Sequence, residues 1–126
     1  MALEEILVLV GAGAITIWGV AHIAPTKAVV AGFEPMTQTN QRILTMEWIA
    51  EGLTLCFVGI LSLIVTLALG IDARGTTLVN CALAGFLVVL AGLSLSTGAR
   101  TPILPIKLCP VVKLSVAALL VIGSVL

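Results

Sequence analysis

Two carboxylates and one hydroxyl group share a helical face at the edge of an apolar stretch. Glu47, Glu51 and Thr54 are spaced at i, i+4 and i+7, which places their side chains above one another on a helix. His22 ends the preceding apolar segment, at the same expected depth and on the same side. Because a histidine beside a carboxyl group can share or move a proton, these residues predict a polar pocket.

Basic and amide side chains extend this candidate site. Arg42, Arg100 and Lys107 flank the apolar segments on the side of His22, where they can hold an anionic headgroup, a quinone oxygen or a small acid. Asn80 lies inside an apolar segment, where an amide more often makes an interhelical hydrogen bond than it binds a ligand. In the alternative interpretation, all these groups are interfacial anchors paired with one another. The sequence leaves both interpretations open.

Several other chemistries lack the residues that they need. Haem with two axial protein ligands needs a second histidine or a suitable methionine, and Met46 is the one candidate, so we expect no haem. Cys56, Cys81 and Cys109 are spaced too widely for a redox pair or a zinc site. Six basic and six acidic residues cancel, so no net field attracts nucleic acid. We expect no metal site and no nucleic-acid partner, and the sequence does not decide whether the protein is an enzyme.

The composition predicts that lipid is the main solvent of this chain. Of its 126 residues, 60% are hydrophobic and 10% are charged, and the mean hydropathy is +1.28. A soluble domain carries about 25% charged residues, which its surface requires. The predicted fold class is therefore all-α. We expect a polytopic membrane protein whose four transmembrane helices form a bundle, with no soluble domain.

Four apolar segments are candidates for the membrane spans, at residues 6–24, 43–71, 76–98 and 111–126. We expect the first to stay in the mature protein, because Glu4 and Glu5 replace the basic flank of a secretory signal. Asn40 is the expected cap of the second helix, and Pro110 is expected to open the fourth. The fourth segment has 16 residues, fewer than the ~20 that usually cross a bilayer.

The connections predict which helix ends lie together. The short turn between the second and third spans predicts an antiparallel hairpin, and the long connections, residues 26–41 and 99–109, then share the opposite membrane face. A short turn is expected at residues 28–33, and the prolines in 99–109 favour an extended loop.

The basic residues predict the orientation. Five of them flank the long connections and Arg74 alone lies at the other face, which places the long loops in the cytoplasm and both termini outside. Trp18 and Trp48 are typical of the aromatic belt at the interface. The five basic residues are Lys27, Arg42, Arg100, Lys107 and Lys113.

Small residues predict how the helices pack. The second span carries one stripe of small residues, formed by Gly52, Cys56, Gly59 and Thr66. The third span has small residues at a similar spacing, among them Gly85. Lipid supplies no hydrophobic force between helices, so close approach at small residues is what stabilises a membrane bundle. Besides lipid, the expected partners are other membrane-protein subunits or further copies of this chain.

A motif in the first half of the chain runs from Trp18 and Gly19 to His22 and Pro25, followed by Glu47 or Glu51 early in the second span. In these residues the chain resembles the DoxX-like group of small four-helix membrane proteins. That group includes membrane subunits of quinone-linked sulfur oxidoreductases. The resemblance implies a quinone connection for His22 and Glu51.

Two functions follow from these patterns. In the first, the protein is an accessory or assembly subunit that packs into a larger membrane complex and carries a polar site at one membrane face. In the second, it is a quinone-linked redox subunit or a carrier of a small acid. The expected location is the cell membrane of a prokaryote.

Overall fold

A computed structural model describes residues 1–33 and 35–126, and this part of the chain is helical with no strand. The helices are α1 Leu3–Ile23, α2 Thr26–Ala31, α3 Gln38–Leu69, α4 Arg74–Ser96 and α5 Leu104–Val125, with a 3-10 turn at Gly98–Arg100. Four helical segments, α1, α3, α4 with the 3-10 turn, and α5, are long and apolar enough to cross a membrane. The predicted all-α bundle of four transmembrane helices is confirmed, and the protein is a multi-pass membrane protein.

Contacts between helix ends define an up-and-down bundle. The last turn of α1 lies beside the first half of α3, where the Trp48 indole donates to the His22 carbonyl oxygen. At the opposite end, Thr77 on α4 donates to the Ser124 carbonyl oxygen on α5 at 3.4 Å. Both long connections therefore lie at the end of the bundle that carries His22. The α3–α4 turn lies at the other end.

The bundle is apolar both inside and outside. Val8, Ile15, Leu55, Leu87 and Leu120 are fully buried between the helices. The outer surface carries large apolar side chains that are more than half exposed, among them Ile17, Phe57, Ile64, Leu78, Val89 and Leu93. Such a surface has no favourable contact with water, so acyl chains or another protein must cover it.

Small residues bring α1 and α3 into backbone contact. A Cβ atom added at Gly19 would lie 2.7 Å from the Gly52 carbonyl oxygen, and one added at Gly59 would lie 2.5 Å from the Ala12 carbonyl oxygen. The Cys56 thiol faces the Thr16 carbonyl oxygen at 3.6 Å. The predicted stripe of Gly52, Cys56 and Gly59 is therefore the α1–α3 contact.

The other two predicted packing residues differ from this pattern. Thr66 is buried, but it faces α4, where its hydroxyl accepts from the Asn80 amide at 3.4 Å. Gly85 is exposed, and no described atom lies within 4 Å of a Cβ placed there. The prediction that Gly85 packs against another helix is wrong within this chain, because α4 turns its opposite face to the core.

The fourth span begins earlier than predicted. Helix α5 starts at Leu104, has Pro105 in its first turn and includes Pro110, so the extended loop predicted for residues 99–109 is wrong for residues 104–109. Pro105 is tolerated because the first-turn N–H groups have no helical partner. With 22 residues α5 is about 33 Å long, which is enough for one crossing.

Helix α3 also begins before its predicted start. Thr37 is its cap, and the Thr37 hydroxyl accepts from the Asn40 backbone N–H at 3.2 Å, so the expected cap at Asn40 is wrong. With 32 residues the helix is about 48 Å long, against about 30 Å of hydrocarbon. The first turns of α3 therefore extend beyond the hydrocarbon, next to the short helix α2.

Candidate functional site

A buried ion pair lies inside the bundle near the long connections. The Lys113 side chain on α5 is 1% exposed, and its ammonium group donates to Glu51 Oε1 on α3 and to Ser94 Oγ on α4, the latter at 2.8 Å. Ser94 donates in turn to the Leu90 carbonyl oxygen at 3.0 Å. Cys109, one turn before Lys113, places its Sγ 3.9 Å from Glu51 Oε1. Three helices thus meet at one ammonium group.

His22 completes this site from α1. Its Nε2 lies 3.9 Å from Glu51 Oε2, and Trp48 stacks on the imidazole with 4.1 Å between ring centroids and 15° between planes. The Trp48 indole N–H donates to the His22 carbonyl oxygen at 2.7 Å, so Trp48 holds both the ring and the backbone of His22. We name His22, Glu51 and Lys113 the ionisable cluster.

Local sequence explains why these side chains converge. Trp48 and Glu51 are three residues apart on α3 and therefore share a helical face. Gly52 follows Glu51 and lies against Gly19, so α1 approaches α3 closely at the level of His22. The glycines that pack the two helices also bring the imidazole next to the carboxylate.

The two charged partners differ in their access to the outside. The Glu51 side chain is 36% exposed, whereas the Lys113 side chain is 1% exposed. A charge inside a membrane domain is costly unless it is paired and hydrogen bonded, and Lys113 has both a countercharge and a hydroxyl acceptor. The Glu51 side chain therefore remains partly open to the surroundings of the bundle, while the Lys113 ammonium group is enclosed between its two partners.

One buried nitrogen of the cluster has no hydrogen-bond partner. His22 Nε2 is shielded from solvent and bonds to no acceptor in the described part of the chain. The Trp18 indole N–H, one turn earlier on α1, is buried and unpaired in the same way. A buried nitrogen without a partner costs free energy, and both of these nitrogens are left without one in the described part of the chain.

The structure brings together two of the residues predicted for the site, His22 and Glu51. Four others, Arg42, Glu47, Arg100 and Lys107, are exposed and lie outside the cluster. The donor to Glu51 is Lys113, which the candidate site predicted from the sequence does not include.

Asn80 is buried elsewhere in the bundle. Its amide oxygen accepts from Ser62 at 2.8 Å, and its amide N–H donates to Thr66. Ser62 lies eleven residues after Glu51 on α3, roughly 16 Å along the helix axis. Asn80 therefore connects α3 to α4 and is not part of the ionisable cluster.

Sequence reasoning missed Lys113 and Ser94. The sequence places Lys113 among the bases that flank a span, because the predicted fourth span begins only two residues before it. With α5 starting at Leu104, Lys113 is the tenth residue of the helix and lies well inside the bundle. The available signal is a lysine followed by thirteen residues without a charge, which indicates a charge that must find a partner within the membrane.

No family model, curated protein or solved structure matches this chain. The resemblance to the DoxX-like group therefore stays a prediction.

Proposed function

We propose that this protein is an integral membrane accessory subunit that exchanges a proton at the ionisable cluster while it is packed in a larger membrane complex. The observation that carries this proposal is the ion pair between the fully buried Lys113 and the partly exposed Glu51. One partner is enclosed in the bundle, and the other remains accessible from outside it.

A purely structural role accounts poorly for this pair. Apolar residues of similar volume stabilise a protein interior as well as a buried ion pair does, and often better. Ionisable groups inside membrane helices, in contrast, commonly serve proton or ligand pathways. His22 adds a second group that can take a proton, 3.9 Å from Glu51.

The outer face of α4 supports the subunit role. Gly85 and Gly92 are exposed, with open space where a side chain would project. Cys81 and Ser96 continue this face at four-residue spacing. Small residues on a lipid-facing surface allow another transmembrane helix to approach closely, so this face suits a subunit of the complex or a second copy of the chain.

A second candidate function is a quinone-linked subunit or a small-acid carrier. It is favoured by the unpaired nitrogens of His22 and Trp18, which lie one turn apart on α1. A carbonyl or carboxylate oxygen of a ligand would satisfy them. The resemblance of the first half of the chain to the DoxX-like group points to quinone as one such ligand.

We propose that the long connections face the cytoplasm of a prokaryotic cell. Lys113 is buried in the bundle, so it is removed from the count of flanking bases. Lys27, Arg42, Arg100 and Lys107 remain at that end, against Arg74 at the other. With four basic residues at this end and one at the other, the chain still follows the rule that basic residues favour the cytoplasmic side.

The proton-exchange proposal can be tested by infrared difference spectroscopy of the purified protein between acid and neutral pH. We expect the protonated carboxyl band to contain a component that is lost in Glu51→Gln and kept in Glu47→Gln, in which the exposed carboxylate one turn earlier on the same helix is replaced. Modification of the wild-type protein with a hydrophobic carbodiimide is a second measurement that needs no variant. Mass spectrometry should locate the adduct at Glu51 in preference to Glu47. Equal modification of both, or a band unaffected by Glu51→Gln, would contradict proton exchange at the cluster.

Copurification tests the subunit role. Gly85→Leu should be at least as stable in detergent as the wild-type protein, but only the wild-type protein should retain a partner, or a second copy, at fixed stoichiometry. A protein that is monomeric and free of partners after gentle extraction, but contains a bound quinone or small acid, would favour the second candidate function.

A further inference from the structure

A polar groove runs between α2 and the first turns of α3, apart from the ionisable cluster. Two adjoining cavities of about 340 and 230 Å³ share Val30, Gln41 and Thr45 in their linings. Arg42 lines one cavity and Lys27 the other. We name this feature the α2–α3 groove.

Among the described residues, the charged side chains that line the α2–α3 groove are both basic. Lys27 and Arg42 are exposed, and neither forms an ion pair within residues 1–33 and 35–126. Glu47, five residues after Arg42, projects from a different face of α3, because five residues turn a helix by roughly 140°. The α3 N-terminus at Gln38 adds the positive end of a helix dipole to the groove.

The depth of the groove matches lipid headgroups. α1 ends at Ile23, and Trp48 stacks on His22 at this level, so the hydrocarbon edge runs close to these residues. Thr45 and Arg42 lie three and six residues before Trp48 on α3, roughly 4 and 9 Å beyond that edge. The headgroup layer is about 5 to 8 Å thick, and the long Arg42 side chain can reach into it.

We propose that the α2–α3 groove binds the phosphate of an anionic phospholipid from the leaflet on the side of the long connections. The Arg42 guanidinium offers paired donors to phosphate oxygens, and the Lys27 ammonium adds a second positive charge. Gln38 and Thr45 offer polar partners for a glycerol headgroup, and Val30 contacts the adjoining apolar part of the lipid. A soluble phosphate would gain no binding free energy from the position of the groove at the membrane surface, because it has no acyl chains to anchor there.

Native mass spectrometry of the protein, extracted from mixed bilayers of phosphatidylglycerol and phosphatidylcholine, tests this site. The wild-type protein should retain phosphatidylglycerol preferentially. Arg42→Gln and Lys27→Gln should each lower that preference roughly fivefold, the effect of removing one basic residue near an anionic surface. Arg74→Gln is the matched control, since Arg74 is also exposed but lies at the opposite end of the bundle. It should leave the preference unchanged.

Three outcomes would overturn the proposal. Equal losses in Arg74→Gln and Arg42→Gln would mean that surface charge in general attracts these lipids. Unchanged preference in both groove variants would mean that the groove does not hold the headgroup. Displacement of bound phosphatidylglycerol by inorganic phosphate at equal concentration would identify a soluble anion as the ligand. All variants replace exposed side chains, and monodisperse elution in detergent verifies that each one is folded.

Discussion

The difference in burial between Lys113 and Glu51 determines what each residue contributes. The Lys113 side chain is 1% exposed, so its charge depends on Glu51 and on the Ser94 hydroxyl. Glu51 is 36% exposed, so water can reach it when Lys113 is absent. Loss of Glu51 therefore leaves a buried ammonium group without its countercharge. Loss of Lys113 leaves a carboxyl group that water can still hydrate.

A double-mutant cycle measures this asymmetry. Glu51→Leu should lower the free energy of unfolding by about 3 kcal/mol, and Lys113→Met by a smaller amount, while the double variant should be close to wild type. Unfolding in mixed micelles gives the values. Lys107→Met, an exposed lysine on the same helix, is the control and should change stability little. If the two single losses add in the double variant, the pair does not interact as the structure indicates.

The variants Trp48→Phe and Trp18→Phe together test the hydrogen bond that the Trp48 indole makes. Trp48→Phe keeps an aromatic ring for stacking on His22 but loses the hydrogen bond to the His22 carbonyl oxygen. Trp18→Phe removes a buried N–H that has no acceptor in the described structure. Both variants lose similar volume, so Trp48→Phe should cost about 1 kcal/mol more than Trp18→Phe. Thermal unfolding in one detergent compares them, and equal losses would argue against the Trp48 hydrogen bond.

At the scale of elements, the α1–α3 contact is built from backbone and very small side chains. Gly19 and Gly52 face each other, and Gly59 lies against Ala12. Such contacts allow dispersion attraction and short Cα–H contacts along both helices, which in lipid take the place of the hydrophobic effect. The same contact positions His22 beside Glu51, so the packing of α1 on α3 and the geometry of the cluster depend on the same residues.

The variants Gly59→Leu and Gly85→Leu compare the effect of adding a side chain at a buried glycine of α3 and at an exposed glycine of α4. At Gly59 a side chain would collide with the Ala12 carbonyl oxygen, so the variant should lose a large part of its thermal stability or fail to form the bundle. At Gly85 the space is open, and leucine should be neutral or slightly stabilising, because glycine disfavours helices by about 1 kcal/mol. Unchanged stability in Gly59→Leu would mean that this stripe faces lipid.

The whole molecule has two chemically different ends. The end with the long connections carries the α2–α3 groove and the ionisable cluster, together with most of the basic residues. The other end has the short turn between α3 and α4, and the hydrogen bonds of Asn80 lie closer to it. Proton exchange and lipid binding, as proposed, would both occur at the same membrane face.

Cysteine accessibility in intact cells tests the topology. In a background with Cys56, Cys81 and Cys109 replaced by serine, Arg74→Cys should react with a membrane-impermeant thiol reagent added outside. Lys107→Cys, in the first turns of α5, should react only after the cells are permeabilised, because that end of the helix is expected in the cytoplasm. The reverse pattern would invert the proposed orientation. Reaction of both positions from outside would contradict the up-and-down arrangement.

The amino-acid sequence by itself determined the membrane class and most of the helices. Backbone groups in lipid must bond to one another, so each long apolar segment had to be a helix, and short turns had to join antiparallel neighbours. It also identified Glu51, His22 and the stripe of Gly52 and Gly59. Each of these inferences depends on residues close together in sequence, for which helical geometry is known in advance.

Only the tertiary structure decided which group pairs with Glu51. Lys113 is 62 residues further along the chain, and its depth depends on the start of α5, where proline in the first turn allows the helix to begin earlier than expected. The structure also decided that Gly59 is buried and Gly85 exposed, although both lie in similar small-residue patterns. Spacing along a helix shows which residues share a face, but the face that points inward depends on how all four helices pack together, because each helix gains or loses contacts only against its neighbours.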